Sequence, residues 1–221
     1  MTTFPGSPKL LRGGIVLFDL TTETVQRIIV MQYNPATLNR TLQVQGAGGE
    51  GGERLEALRL KGPPVETYQL EAEIDAADQM EFPTQGANRA AVEFGILPQL
   101  AALETIIYPT SSSVRINNQL AESGNLEIIP METPLVLFVW SKNRVLPVRI
   151  IDFSINEEAY DPNLNPLRAK VSLGLRVLSG NDLTYNHFGS GLFRSYHQQK
   201  EQLSRRASSG QLDALGIGGR L

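Results

Sequence analysis

The segment RAKVSLGLRVL, residues 168–178, alternates between polar and apolar side chains, and it constrains the fold more than any other part of the chain. A β-strand turns successive side chains to opposite faces, whereas a helix would scatter this pattern around its axis. The segment therefore predicts a strand with one buried and one solvated face. Its apolar positions are Ala169, Val171, Leu173, Leu175 and Val177.

Two more segments share this period of two. In residues 65–75 one face is apolar, and only Glu66, near its start, breaks the pattern. Residues 151–155 alternate in the same way, but Ile150 beside Ile151 upsets the phase and indicates a β-bulge or a buried start. The apolar faces comprise Tyr68, Leu70, Ala72 and Ile74 in the first segment, and Ile151, Phe153 and Ile155 in the second.

Two pairs of segments are typical of hairpins. Residues 134–140 are apolar throughout, which predicts a strand covered on both faces, and the turn residues 141–144 join it to the strand that follows. Near the N-terminus, residues 13–20 and 26–34 are strand-like segments separated by a short polar stretch. We expect each pair to be antiparallel.

One segment between these strands has the period of a helix. Its apolar residues fall at i, i+4, i+7 and i+11, Pro98 suits a first turn, and Pro109 ends the pattern. Strands, one helix over residues 97–108, and strands again predict an α+β, mostly β fold, a tube-protein-like antiparallel barrel or curved sheet with one packed helix. The helical stripe is Ile96, Leu100, Leu103 and Ile107.

Composition narrows the possible partners. Lysine and arginine total 20 against 23 acidic residues, so a net charge of −3 gives no basic field for nucleic acid or an anionic membrane. Without cysteine, disulfides and thiolate metal sites are excluded. The N-terminus lacks the apolar core of a signal peptide, and no apolar run approaches the roughly 18 residues of a membrane span. We expect cytoplasmic synthesis and assembly, without nucleic-acid binding or membrane insertion.

One main domain with a C-terminal extension is expected. Residues 1–180 form the main domain, with a flexible glycine-rich loop near residues 46–53 that we expect to contact adjacent subunits. Residues 181–221 form a helical and flexible extension that docks on a partner, because the alternating strand ends before it. Its candidate contacts are Phe193, Arg194, Tyr196, Leu203, Arg205 and Arg206.

The glycine-rich loop contains GAGGEG, residues 46–51, which satisfies the dinucleotide-binding pattern. In that fold, helix N-terminal N–H groups receive a pyrophosphate. Here Glu50 and Glu53 would repel it, and the next apolar stretch ends at Leu60 before Gly-Pro-Pro. A flexible loop is the better interpretation, although a small nucleotide-binding enzyme stays as the alternative from another functional class.

Catalytic and metal chemistry find little support in the sequence. His187 and His197 are ten residues apart, outside the i, i+4 spacing that places two ligands on one helical face. No serine lies in a G-x-S-x-G elbow. We expect no enzyme activity, no cofactor and no metal.

Several short motifs together resemble one family. A strand ending in Asn34-Pro35 precedes the glycine-rich insertion, an apolar strand ends at Trp140, and a loop ends in P-L-R-A before the last strand. From residue 11 to 178 this order is similar to the baseplate adaptor family of contractile injection systems, whose members often end in a LysM domain. The residues that carry the resemblance are Asn34, Pro35, Trp140, Pro166, Leu167, Arg168 and Ala169.

The resemblance implies a hexameric ring that surrounds a lumen and joins a spike hub to an inner tube, with wedge proteins around it. The expected partners are other copies of the chain, the spike or hub protein, the inner tube or its initiator, and baseplate wedge proteins. A tube initiator or terminator of the same machine is the alternative. Because the extension is too short for a LysM domain, glycan binding is not carried over.

Two residues of the resemblance have more ordinary explanations. Trp140 suits core packing, since it ends an apolar strand. Arg168 fits either a local ion pair with Asp161 or Asp152, or a contact with a neighbouring subunit.

Overall fold

The computed structural model describes residues 10–46, 59–123 and 133–207. Seven strands and five α-helices cover these ranges, with one short 3₁₀ turn at Gly86–Asn88. The strands are β1 (Gly14–Asp19), β2 (Thr24–Val30), β3 (Leu38–Gln43), β4 (Val65–Asp75), β5 (Leu135–Ser141), β6 (Arg144–Tyr160) and β7 (Pro166–Val177). The helices are α1 (Ala77–Met80), α2 (Arg89–Phe94), α3 (Leu97–Glu104), α4 (Ser111–Glu122) and α5 (Phe188–Ser204).

The strands form one antiparallel sheet in the order β2-β1-β5-β6-β7-β4-β3. The sheet is strongly curved and not closed. Gln32, just after β2 at one edge, exchanges hydrogen bonds of 2.8 and 2.9 Å with the backbone of Asp75, at the end of the strand beside the other edge. This mostly β architecture confirms the fold class predicted from the sequence.

The period-two segments form the predicted strands. Tyr68, Leu70 and Ala72 lie on the buried face of β4, opposite Leu175, Leu173 and Val171 of β7. Both hairpins form with antiparallel pairing, and the register of β6 shifts between Ile150 and Asp152, which confirms the bulge. The alternation predicts these elements well because one face of each strand is buried.

Helix α3 packs against the buried face of the sheet, although it is shorter than predicted. Leu100 and Leu103 are buried in the common core, as is Ile96 just before the helix. The helix ends at Glu104, so the predicted stripe fails at Ile107, which is 46% exposed, and Ile106 is buried in its place. The sequence missed α1, α2 and α4, which are short or contribute little to the core.

The start of β7 holds the helical region in place. The carbonyl oxygens of Pro166 and Leu167 accept hydrogen bonds from the N–H groups of Ile96 and Ala76, each at 2.9 Å. Gly95 has φ +58° and lies so close to the Pro166 oxygen that a Cβ there would overlap it. Glycine is therefore required where the helices meet the strand.

Candidate assembly interface

Strand β2 is an uncovered edge with an apolar surface. It pairs with β1 on one side and has no neighbouring strand on the other among the described residues. Val25, Ile28 and Val30 are 51%, 63% and 56% exposed. Unpaired backbone groups beside exposed apolar side chains are the usual features of a site where another chain pairs.

A β-bulge brings these three side chains to one face. The register of β1 with β2 shifts between Leu17 and Phe18, so Val25 lies opposite Phe18 while Ile28 lies opposite Val16. Phe18 and Val16 are two residues apart and share a face. Without the shift, Val25 and Ile28 would point to opposite sides, because they are three positions apart in the sequence.

Helix α3 fixes the position of this edge. The Arg27 guanidinium donates hydrogen bonds to the Ala102 carbonyl at 3.0 Å and to the Thr105 hydroxyl at 2.7 Å. Ile29 also packs towards the core. These contacts hold β2 in position within the single chain, and a strand positioned in advance lowers the entropic cost of pairing.

Two other stretches of strand are also open on one side. Strand β3 pairs only with β4, and its side chains are mostly exposed. The distal half of β6, residues 150–160, pairs with β7 but extends beyond the last residue paired with β5. The described part of the molecule therefore offers unlike edges, the arrangement that head-to-tail association uses.

The motif residues near the first hairpin have local contacts. Asn34 accepts a 2.8 Å hydrogen bond from the N–H of Gly13 and donates one of 2.8 Å to the Leu11 carbonyl. It thereby ties the segment before β1 to the connection after β2. Pro35 follows it, half-buried in that connection.

The other motif residues pack within the domain. Trp140 packs against the core with its ring centroid 5.9 Å from that of Phe138, as expected for an aromatic at the end of an apolar strand. Ala169 is completely buried, and Pro166 and Leu167 receive the backbone hydrogen bonds described above. A further contact of these motif residues with another subunit stays a prediction.

Arg168 forms a local ion pair, although with different partners from those expected. Its Nε and Nη2 atoms lie 2.8 and 2.7 Å from Oδ2 of Asp75, and Glu73 is 3.8 Å away. Asp75 is its register partner in β4. The suggested pairs with Asp161 and Asp152 are therefore wrong, because long-range strand register brings Asp75 close. Asp161 instead accepts hydrogen bonds from Asn163 and Asn165.

A buried carboxylate is the main feature that the sequence did not reveal. Glu66 is 3% exposed and occupies the inward face of β4. Its Oε1 atom accepts hydrogen bonds from the hydroxyls of Tyr68 at 2.7 Å and Tyr196 at 3.0 Å, and its Oε2 atom is 2.8 Å from Nζ of Lys200. Arg40 lies 3.8 Å away. We call these five residues the Glu66 cluster.

Burial alone would raise the pKa of Glu66, but the hydrogen bonds from Lys200, Tyr68 and Tyr196, together with the Lys200 charge, lower it below its ordinary value. Burial and the hydrogen bonds with Tyr196 and Glu66 raise the pKa of Tyr68. Glu66 is therefore ionised and Tyr68 neutral near neutral pH. The only sequence signal for this cluster was that Glu66 falls on the face of β4 whose other side chains are apolar.

The cluster changes the interpretation of the C-terminal extension. The segment does form a helix, α5, as predicted, but Tyr196 is 6% exposed and belongs to the chain's own core, with Phe193 packed beside it. Arg194 contacts Tyr185 and Ser190 of the same chain. Assigning Tyr196 to a partner is therefore corrected, because its side chain is buried in the chain's own core. Phe193 and Arg194 are half-buried and stay predicted partner contacts.

Three residues at the end of α5 keep their predicted role. Leu203 is 54% exposed, and Arg205 and Arg206 are exposed as well. They stay predicted partner contacts. The predicted boundary between the main domain and the extension, at residue 180, also stays a prediction. Helix α5 lies beyond this boundary in sequence, but it packs on β6 of the main domain.

The sheet topology excludes a dinucleotide-binding unit at the glycine-rich segment. Strands β3 and β4 on either side of it pair antiparallel, and a bridge between Gly46 and Leu60 closes its base. The dinucleotide fold instead needs parallel strands around a crossover helix. Beyond Gly46 the loop itself lies outside the described residues.

The histidines have structural contacts. His187 caps α5 by accepting a 3.0 Å hydrogen bond from the Gly189 N–H, and His197 lies 3.4 Å from Glu201. Over the described ranges no group of three or more potential ligands is placed to hold a metal. Within the same ranges, no helix is both long and apolar enough to cross a membrane.

Comparison with known proteins gives limited information. No protein-family model matches this chain, and no curated protein matches it. A chain from the tail of an empty gene transfer agent particle with C6 symmetry is similar at 13% identity and a TM-score of 0.27, over 75% of this chain and 90% of that chain. A chain from the virion of a native gene transfer agent particle is similar at 12% identity and a TM-score of 0.24, over the same shares. TM-scores this low do not establish a shared fold.

Proposed function

We propose that this chain is a non-catalytic structural subunit of a phage-tail-like contractile injection particle. It forms a ring in the baseplate that joins the spike hub to the inner tube and contacts the surrounding wedge proteins. The observation that carries the proposal is the β2 edge, with three exposed apolar side chains beside unpaired backbone groups. The sequence resemblance to the baseplate adaptor family supports the same assignment.

The unlike edges of the curved sheet support the proposed ring. An edge strand that pairs with a different edge of the next copy makes a head-to-tail contact, and such contacts close into a ring when the rotation fits. The free edges are β2 on one side, and β3 and the distal half of β6 elsewhere. Pairing would satisfy the backbone groups and bury Ile28 and its neighbours. Six copies is the number that the resemblance implies.

Leu203, Arg205 and Arg206 are the proposed contacts with another baseplate component. They lie together at the C-terminal end of α5, away from the β2 edge in sequence, and carry two positive charges beside an apolar side chain. Arginine with an apolar neighbour is common in interface cores. An acidic surface on a hub or wedge protein is the matching partner.

Cryo-electron microscopy of particles from cells that express this chain tests the proposal. We expect a sixfold ring of density between the spike hub and the tube that fits the curved sheet, with β2 at the contact between copies. Density at the far end of the tube would replace the adaptor role with that of a terminator. Intact particles without this chain would contradict the proposal.

A further inference from the structure

Helix α5 is joined to the rest of the molecule in two places. At its N-terminal end the Phe188 ring stacks on Phe18 with centroids 4.7 Å apart, and a Cβ added to Gly189 would lie 3.3 Å from Pro147. Further along the helix, Tyr196 and Lys200 supply two of the groups that hold the Glu66 carboxylate. The second attachment combines these polar contacts with apolar packing, because Tyr196 belongs to the core and Phe193 packs against it.

Charged and titratable groups reach Glu66 from three elements. Arg40 comes from β3, Tyr68 from β4, and Tyr196 and Lys200 from α5. The two tyrosine hydroxyls are also 3.0 Å apart. Arg144 of β6 lies over the Tyr68 ring at 5.9 Å. Lys200 makes the closest approach of any cation to the carboxylate, so docking of α5 and neutralisation of Glu66 are linked.

The segment before α5 is held to the sheet independently of this cluster. Asp182 accepts hydrogen bonds from the Ser179 N–H at 3.0 Å and from Arg176 of β7 at 2.7 Å. This connection fixes the base of the helix. No residue of α5 pairs in the ladders of β4 and β7, so their backbone hydrogen bonds can stay formed when the helix leaves.

We propose that α5 is a releasable strap, which opens as a unit while the seven-stranded sheet stays folded, and that the Glu66 carboxylate with Lys200 is its latch. With Lys200 in place, the buried charge is compensated and α5 stays docked. If that ammonium is lost, Oε2 of the buried carboxylate loses its donor at 2.8 Å, and opening lets water replace it. This proposal does not depend on the proposed function in a particle.

Acid should open the strap by the opposite route. Protonation removes the negative charge of Glu66 and leaves Arg40 and Lys200 as cations without their shared carboxylate. The pKa of Glu66 is below its ordinary value, so the latch is intact above the ordinary value and is lost as the pH falls through the lowered one. Near neutral pH the strap is closed.

Hydrogen exchange of the full-length protein tests the strap. In Lys200→Met we expect protection of α5 amides to fall by about 10- to 100-fold, the range for loss of a hydrogen bond between charged groups, while β4 and β7 keep theirs. Glu201→Gln is the matched control, because it removes the exposed His197 contact on the same helix without touching Glu66. Its α5 protection should match that of the wild type.

Two results would overturn the strap. Unchanged protection of α5 in Lys200→Met would mean that the contact between Glu66 and Lys200 does not keep the helix docked. Loss of protection in α5, β4 and β7 together would mean that the molecule opens as one unit, with the cluster as an ordinary part of its core.

Thiol labelling provides an independent measurement. The chain contains no cysteine, and Ser190 on α5 is 2% exposed, so Ser190→Cys introduces one buried thiol that reports opening of the helix. We expect faster labelling when Lys200→Met is added. An equal labelling rate with and without Lys200→Met would count against the strap.

Discussion

The β2 edge and the Glu66 cluster depart from the usual distribution of side chains in opposite directions. At the edge, Ile28 and its two apolar neighbours are more than half exposed. In the cluster, a carboxylate and two tyrosine hydroxyls are buried. Each departure needs compensation, since exposed apolar surface favours association and a buried charge requires partners.

The compensation comes from different sources. Within the chain, the Glu66 carboxylate is compensated by four side chains from β3, β4 and α5. In the described part of the chain, no strand pairs with the free side of β2. The α5 side of the molecule is thus satisfied within the chain, whereas the β2 side keeps exposed apolar surface, which is where the proposed function places the contact between copies.

Tyr68→Ala should have the largest effect on stability. Tyr68 is fully buried, and its ring lies 5.7 Å from that of Phe138. Losing the ring leaves a cavity and removes a donor from Glu66, so we expect a loss of about 3–5 kcal/mol in the free energy of unfolding. Urea denaturation followed by the fluorescence of the single tryptophan measures it. A loss within 1 kcal/mol, about the value of one hydrogen bond, would show that this side is not a packed core.

Glu66→Gln should have the next largest effect, with a definite pH dependence. At neutral pH we expect a loss of about 1.5–3 kcal/mol, because a neutral amide replaces the carboxylate that accepts from Lys200 and the ion pair is lost. The lowered pKa of Glu66 means that the wild-type advantage is complete above the ordinary carboxyl pKa and disappears as the pH falls through the lowered one. Urea titrations at successive pH values should show the gap closing on acidification. A gap independent of pH would contradict ionisation of Glu66.

Tyr196→Phe should have a smaller effect, since it keeps the ring and removes only the hydroxyl. We expect a loss of about 0.5–1.5 kcal/mol. Combined with Tyr68→Phe, the losses should not add, because the two hydroxyls contact each other and the same carboxylate oxygen. A double-mutant cycle measures the coupling, and strict additivity would mean that the cluster does not act as a unit.

Strand positions were predictable from the sequence, but contacts between distant residues were not. The alternation in β4 and β7 identifies their buried faces because local side-chain direction determines it. Arg168 meets Asp75, and Glu66 meets Tyr196 and Lys200, only after the sheet curves and α5 docks. Local periodicity carries no information about such distant partners.

The exposed apolar face of β2 was also not predictable from local periodicity. Val25 and Ile28 have a spacing that does not fit one face of a regular strand, and the bulge opposite Leu17 and Phe18 corrects it. The short helices α1 and α2 lacked enough length for a periodic signal. In α5, Tyr196 was recognised as an anchor but assigned to a partner, because its target in β4 lies far away in the sequence.

The smallest effect on stability is expected at the β2 edge. Replacing Val25, Ile28 and Val30 by threonine keeps a β-branched side chain at each exposed position. We expect each replacement to change the free energy of unfolding of the monomer by no more than about 0.5 kcal/mol, as is usual for surface sites. Val92→Thr is the matched control, since Val92 is an exposed valine of α2. Monomer stability by urea denaturation checks this, and a large loss would place the β2 face in the chain's own core.

Sedimentation velocity of the wild type and the triple threonine variant, over a wide range of concentration, tests most directly whether the β2 edge is the assembly interface. The wild type should associate into a closed oligomer as its concentration rises. The triple variant should stay monomeric and folded, and Val92→Thr should assemble like the wild type. A wild type that stays monomeric at every concentration, or a triple variant that assembles equally well, would contradict the account.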